Sequence, residues 1–493
     1  MTTTHSPALT LKKAFTFRSA FMFSFVFVSP IVALYGVFAL VLGAAGPSGW
    51  WSFLIVFAGQ IIVAFVFAEL ASRWPIEGSL YQWARRLVGN HYGWFTGWIY
   101  MWTLAIACAG GSFITSQFLP LVLGLQPFDL FTQILVALGT LAVIMVLNLI
   151  GPKAIKAVVF LAIIAEVVGS VALAITLFLF FQEQPFSVLL QGADVTMPGV
   201  TFAGIAAAAA FVGWGFVGFE SAGDIAEEVE DPRRNVPKAI IAAILSVGTV
   251  VVVSALALII AIPDLGRVLS GEEVDPAAYI VGSALGEQAV VLLFLLIIIG
   301  FVACMLATQM ASSRVMWAFA RDNAFPASKW IKRLSPRTSN PNSAIVVTAI
   351  LTMLILVAAT TGPVYATLVS FSTAGFFISF ALPLVAHALT RHKSYWTPGP
   401  FSLGTAGKVV VPLAAIWVVL ELINIAWPRT PELDWWQNYS VIIGLVAVLS
   451  LGLIVWIPRR STIANLPIID PGSRDNHASQ TAESAAAGAA SDS

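Results

Sequence analysis

Runs of about twenty apolar residues recur from one end of this 493-residue chain to the other. Each is long enough to cross a hydrocarbon core roughly 30 Å thick as a helix. Lipid offers no water to backbone N–H and C=O groups, so a spanning run of this kind must satisfy them internally as an α-helix. Twelve spans are predicted, at about 16–43, 50–71, 94–123, 129–149, 154–181, 200–225, 238–262, 289–319, 343–361, 364–389, 409–427 and 438–458. With the N-terminus on the cytoplasmic side, 23 of the 25 Lys and Arg residues fall on that side, and only Arg267 and Arg429 on the other. The positive-inside rule supports all twelve spans together, because a missed or extra one would invert every later loop. The chain therefore reads as an all-α, multi-pass integral membrane protein of a cell (plasma or inner) membrane, with both termini cytoplasmic.

Composition excludes several other classes. Only 10% of residues are charged and 59% are hydrophobic, against about 25% charged in a soluble domain. The formal net charge is zero and gives no hint of a nucleic-acid partner. Cys108 and Cys304 lie within apolar runs and offer neither a disulfide framework nor a metal-ligand spacing. No HExxH, P-loop or nucleophile elbow occurs, so an enzyme is not expected and no cofactor or metal is called for. Residues 1–14 form a polar cytoplasmic tail, and 459–493, ending ASQTAESAAAGAASDS, read as a disordered one. Ser79–Val88 and Lys329–Leu334 mix Trp, Leu and basic residues and are predicted to lie at the membrane surface. Pro263–Glu287 is an acidic, solvated connection.

Chemistry concentrates in span 6, within AAFVGWGFVGFESAGDIAEEVEDPRRNVP, Ala209–Pro237. Gly213, Gly215 and Gly218 each lower helix propensity by roughly 1 kcal/mol and invite the helix to open. Glu220 and Asp224 follow, four residues apart and so on one helix face. Transporters bind substrate near the midplane at discontinuous helices in matching positions of two inverted halves. The match to span 6 is span 1, where Pro30 follows Ser29 in mid-helix and removes a backbone donor. A break near Ser29–Ala33 is predicted, with Gly36 following; a simple proline kink is the alternative.

Ionisable residues inside spans are functional candidates. Glu166, in mid-span 5, is read as a proton or coupling-ion carrier or as an interhelical hydrogen-bonding group. Glu220 either takes the same role or accepts N–H groups freed at the break. Asp224 joins it or faces cytoplasmic water. Glu421 suits a structural role, and Glu69 is expected to meet Arg73. Gln60, Asn148 and Gln309 read as interhelical glue. Thr308 and Ser312 share a face of span 8 and could serve a Na⁺ site or a proton-linked network. Trp214 and Phe219 could line an amine pocket by cation–π contact or simply pack.

Three stretches in order carry a resemblance: ELASRWPIEGSLYQWARRLVG from Glu69, GFESAGDIAEEVEDPRRNVP from Gly218, and SSRVMWAFARDNAFP from Ser312. They resemble motifs of permeases in the amino acid–polyamine–organocation superfamily, most like its amino acid/choline transporter branch. The resemblance implies a LeuT-like fold with helices 1 and 6 broken and a ten-helix core over 15–389. That core comprises inverted repeats of about 16–181 and 200–389, with helices 11 and 12 (390–458) peripheral. It also implies alternating access. Substrate carboxylate would meet backbone N–H groups of Ser29, Pro30, Ile31, Val32, Ala33 and Leu34, Pro30 itself having none. The amino group would meet Trp214, Gly215, Phe216, Val217 and Gly218, with Phe219 beside them.

Three departures are legible. Val32-Ala33-Leu34 stands where many relatives have a Gly-Ser-Gly-like segment, Glu166 where several sodium-independent relatives carry lysine, and Asp224 where some place histidine. Expected is secondary active uptake of amino acids or related amines (GABA-like, basic amino acid, polyamine or choline/ethanolamine type). A proton gradient is the first choice of driving force and Na⁺ the second, with exchange an alternative. Glu166, Glu220, Asp224, Thr308 and Ser312 are the candidates for coupling. A nutrient sensor on the same fold is the reading from a different class. Partners are the small substrate and the bilayer; the oligomeric state is open.

Overall fold

The computed structural model describes residues 13–193, 199–359, 364–393, 396–429 and 434–468. Most of both expected tails, with Lys12 and Arg474, lies outside them. In chain order the helices are α1 (Phe17–Val28), α2 (Pro30–Tyr35), α3 (Phe38–Ala45), α4 (Trp50–Arg73), α5 (Ser79–Leu87), α6 (Asn90–Leu123) and α7 (Leu130–Ile150). Then come α8 (Pro152–Glu166), a π-helical segment Val167–Ala172, α9 (Leu173–Phe180), α10 (Phe202–Gly215), α11 (Ser221–Asp224), α12 (Pro232–Ile260), α13 (Leu265–Leu269) and α14 (Pro276–Leu285). The rest are α15 (Glu287–Arg321), α16 (Ser328–Ile331), α17 (Asn342–Ala358), α18 (Val364–Thr390), α19 (Gly407–Ala426), α20 (Trp435–Asn438), α21 (Ser440–Trp456) and α22 (Arg460–Ala464).

Ten helical stretches among the described residues are long and apolar enough to cross a membrane, and α10, α14 and α17 are shorter apolar helices. The expected spans 6 and 9 correspond to the short α10 and α17. Span 6 falls short because its helix stops at Gly215. The molecule is a multi-pass, all-helical membrane protein whose outer face is apolar. Phe131, Phe160, Phe180 and Ile454 are each about 70% exposed, which suits lipid as the surrounding solvent.

Inside, α6 packs along α15 and α18, α4 along α12, and α1 against α12 and α15. The helix α21 is marginal to this core: Gly452 is its one buried residue, set against Trp98. The indole of Trp98 donates to Val448 O at 2.8 Å. Acids of the 263–287 connection are largely spent locally. Asp264 and Asp275 cap α13 and α14, and Arg267 pairs with Glu272 and Glu273.

Two expectations need correction here. α5 does not lie on the surface. Leu80, Tyr81 and Trp83 are buried, and Arg85 reaches Asp322 at 2.7 Å and Pro467 O at 2.8 Å. The mixture of aromatic and basic residues that reads as an interfacial helix serves instead to plug one end of the bundle. Glu69 bonds across to another part of the chain, receiving His387 Nε2 at 3.0 Å, Arg391 Nε and Nη2 at 3.0 and 2.9 Å, and Leu403 N at 2.9 Å. Glu69 is fully buried, so removing it alone would leave its partners' polar groups uncompensated. Glu69→Ala should cost about 3–5 kcal/mol by stranding Arg391. Arg391→Ala should cost a similar amount and the double variant much less than the sum, measured by thermal unfolding in detergent.

Candidate functional site

The break in the first span sits at Ser29, the residue before Pro30. Ser29 has φ 52° and ψ 109°, while Pro30–Tyr35 return to helix. The expected opening over Ser29–Ala33 is therefore confined to one residue, with a second interruption at Gly36–Val37 before α3. In an unbroken helix Ile31 N–H would bond Phe27 O. Here that bond is exchanged for two tertiary ones. Glu166 Oε2 accepts Ile31 N–H at 2.8 Å, and Cys304 Sγ–H donates to Phe27 O at 2.9 Å. Ser29 Oγ donates to Glu166 Oε1 and itself accepts from Val32 N–H at 3.2 Å. Three segments, α1–α2, α8 and α15, thus share the groups parted at the break.

Glu166 ends α8, and the π-helical segment begins at the next residue. π-bulges recur at functional sites because they leave carbonyls for partners outside the helix. Tyr35 OH donates to Gly169 O at 2.8 Å and Ser254 Oγ to Ser170 O at 3.3 Å. Nothing in the periodicity of span 5 announces the π segment, since one extra residue in a largely apolar run leaves no trace.

The second break runs over Phe216–Glu220, between α10 and α11. Of the predicted opening Trp214–Gly218, Trp214 and Gly215 remain helical. Gly218 has φ +97°, and a Cβ there would lie 2.0 Å from Phe27 Cδ1. A Cβ on Gly215 would lie 2.7 Å from Ala33 O. These two glycines let the breaks dock face to face. Glu220 Oε2 accepts Gly218 N–H at 3.0 Å, so one of its expected roles, bonding a freed amide, is present.

Glu220 and Asp224 do converge. Tyr100 Oη lies 2.9 Å from Glu220 Oε1 and 2.8 Å from Asp224 Oδ2, and Ser79 Oγ donates to Asp224 Oδ1 at 2.5 Å. Asp224 is fully buried, which corrects the expectation that it might face water. A phenol has one hydrogen to give. With two carboxyl groups in reach, both contacts are hydrogen bonds only if one carboxyl donates a proton of its own.

The other candidates divide. Thr308 Oγ1 bonds Cys304 O at 2.9 Å within its own helix, and Ser312 Oγ is buried with no partner. Asn148 Nδ2 donates to Gln309 Oε1 at 2.7 Å as glue, whereas the Gln60 amide is buried without a partner. Glu421 accepts from Asn424, which also holds Ala206 O of α10, a structural link. Trp214 meets Tyr365 edge to face at 6.3 Å, and Tyr365 OH donates to Gly36 O at 2.7 Å. A cavity of about 380 Å³, lined by Phe113, Gln117, Gln133 and Tyr365 among others, abuts this contact. Ser29–Leu34 and Trp214–Phe219 are themselves buried, as in an occluded centre. Tyr100, Cys304 and Tyr365 carry the site yet are single residues in apolar sequence with no motif to single them out, and Ser79 lies in the quoted stretch from Glu69, where nothing marked it as a partner of Asp224.

Two buried breaks docked on each other, braced by carboxylates inside a helical membrane bundle, define a membrane permease. The chain belongs to the amino acid permease family, which matches residues 15–448, within the amino acid–polyamine–organocation superfamily. It is 26% identical over 429 residues to the amino-acid permease BAT1 of Arabidopsis thaliana, covering 78% of this chain and 80% of that protein. It is 26% identical to the branched-chain amino acid permease BcaP of Bacillus subtilis, over 83% and 88% of the two chains. A choline transporter of Saccharomyces cerevisiae is 27% identical over 49% of this chain and 43% of its own.

The docking of the breaks can be tested through Gly218. Gly218→Ala should destabilise the protein by at least about 1–3 kcal/mol for the forbidden φ alone, with the Phe27 clash added. Measured against a Phe27→Ala background, which has its own cavity cost, Gly218→Ala should show the φ penalty without the clash, as read by thermal unfolding in detergent.

Proposed function

We propose that this permease is a secondary active transporter of amino acids or related amines, working by alternating access between its two broken helices in a LeuT-like core. The observation that carries the reading is the Glu166 carboxylate, shared between Ser29 and Ile31 at the first break. A movement of Ser29 and α2 relative to α8 must break or remake that contact, which ties the charge on Glu166 to the conformational cycle. Both its oxygens receive donated hydrogens, as suits an ionised group. The cluster of Glu220, Tyr100 and Asp224 is one hydrogen short and suits a stored proton. Proton coupling is accordingly the first reading. Na⁺ coupling is the second, supported by the unpartnered Ser312 hydroxyl on the helix that also carries Thr308.

The bonds already made at the breaks bear on the substrate class. The amides of Ile31 and Val32, which the family resemblance assigns to a substrate carboxylate, are bonded to Glu166 and Ser29. A carboxylate would have to displace Glu166, and a cationic amine would have to share Glu220 and Asp224 with Gly218 N–H, Tyr100 and Ser79. Relatives named for amino acids and for choline are compatible with either.

The test is uptake and counterflow in proteoliposomes with imposed proton and sodium gradients, across amino acids, polyamines, choline and ethanolamine. Wild-type uptake should rise with an inward proton gradient. Glu166→Gln should lose at least about tenfold of that stimulation, from the roughly 1.5–3 kcal/mol of a charged hydrogen bond. A Glu166→Gln protein that responds fully to both gradients defeats the coupling role, and an absence of any transported amine or amino acid defeats the function.

A further inference from the structure

A second group of carboxylates, outside the breaks, gathers where the chain closes one end of the bundle. Residues 14–15 are pinned to 228–230: Ala14 N–H and Phe15 N–H both bond Glu228 O, at 2.9 and 3.0 Å, and Glu230 N–H bonds Phe15 O at 2.8 Å. The Glu228 side chain accepts Arg314 Nε at 2.9 Å, with both groups buried. Glu227 Oε1 accepts Arg321 Nη1 at 2.5 Å and Glu77 N–H at 3.4 Å. Two guanidinium groups thus serve two carboxylates, and Glu77, in the turn between α4 and α5, is the third.

The Glu77 side chain is fully buried, and neither carboxyl oxygen has a hydrogen-bond partner. The Nη2 of Arg314 is also buried without a partner. An ionised carboxylate with no donor on either oxygen is costly in such a place, and a neutral carboxyl much less so. Burial first, then the charges of Glu228 and Glu227, push Glu77 well above the ordinary carboxylate range; Arg314 and Arg321 pull the other way without overcoming them. A carboxyl whose value is raised in one conformation favours that conformation at low pH and disfavours it as pH rises.

We infer that Glu77 is a proton site of the gate at this end. It is neutral while residues 14–15, 228–230 and α15 are latched together, and ionised beside the unused Nη2 of Arg314 or in water once Glu228 moves away. On opening, the Glu77 O–H bond breaks and its proton passes to water on that side; no other covalent bond is made or lost. The inference uses the alternating-access reading only for the meaning of opening, and is independent of the substrate and of what happens at Glu166.

The experiment is hydrogen–deuterium exchange of the full chain in lipid nanodiscs, without substrate, following amides of 74–78 and 226–230 against pH. After correction for intrinsic chemistry, an opening that releases one proton should speed exchange about tenfold per pH unit above the ordinary carboxylate range. Glu77→Gln and Glu77→Met, two neutral side chains of different chemistry, should each abolish that slope and hold the segment protected. A wild-type protein without the slope overturns the inference by itself. So does a slope that survives in either variant, since another group would then carry the proton. Uptake lost or kept in proteoliposomes leaves this result untouched, so the two readings fail separately.

Discussion

A helix broken inside a membrane has no water to turn to, and the whole centre of this permease follows from how that debt is met at Ser29–Pro30. Pro30 brings no N–H, Ser29 takes a left-handed φ, and the Ile31 N–H and Phe27 C=O that would have bonded each other are parted. A carboxylate from α8 and a thiol from α15 take one each. The contacts are directional, and each comes from a different part of the bundle. The break is therefore tethered at both lips, α1 by Cys304 at Phe27 O and α2 by Glu166 at Ile31 N–H.

The second break obeys the same rule by different means. Glycines rather than proline open it, and Glu220 turns back on its own chain to accept Gly218 N–H. Because Gly215 and Gly218 have no side chains, backbone can approach backbone, and the two breaks lie against Ala33 and Phe27. Tyr100 then draws Glu220 and Asp224 together from α6. The π-helical segment after Glu166 fits the same account, since it frees Gly169 O for Tyr35 of α2. The irregularities in the backbone near the centre are answered by side chains, some local, as at Gly218 and Val32, and some from neighbouring elements, as at Ile31, Phe27 and Gly169.

Towards the end of the bundle where α5 is buried, the chemistry changes from single shared hydrogens to ion pairs. Arg85, Arg314 and Arg321 each bind an acid there. These partners come from α5, from the stretch between α11 and α12, and from α15, so the pairs staple segments that the breaks leave free to move. Pairs of this kind add little net stability when desolvated but are expensive to leave half made. That suits a contact that must be whole in one conformation and fully exchanged in another.

Much of this protein was legible without coordinates. Length and hydrophobicity of the runs imply helices that cross lipid, because backbone polar groups have no other solution there, and Pro30 and the glycines of span 6 mark the two interruptions. Glu166, Glu220 and Asp224 stand out because a buried ionisable group is too costly to be idle. What the runs could not reveal is pairing. Tyr100 is 120 residues from Glu220, Cys304 is 277 from Phe27, and Glu69 is 322 from Arg391. Hydropathy carries no information about which helix faces which, or about the rotation of each about its axis. So the sequence by itself determined the class, a set of membrane-crossing helices and the neighbourhoods of the two breaks. Only the tertiary structure decided that Glu166 holds the first break, that Asp224 is shielded from water, and that α5 is an internal plug. Those outcomes depend on which donors three-dimensional packing brings within 3 Å, and a one-dimensional pattern of apolar residues does not encode that.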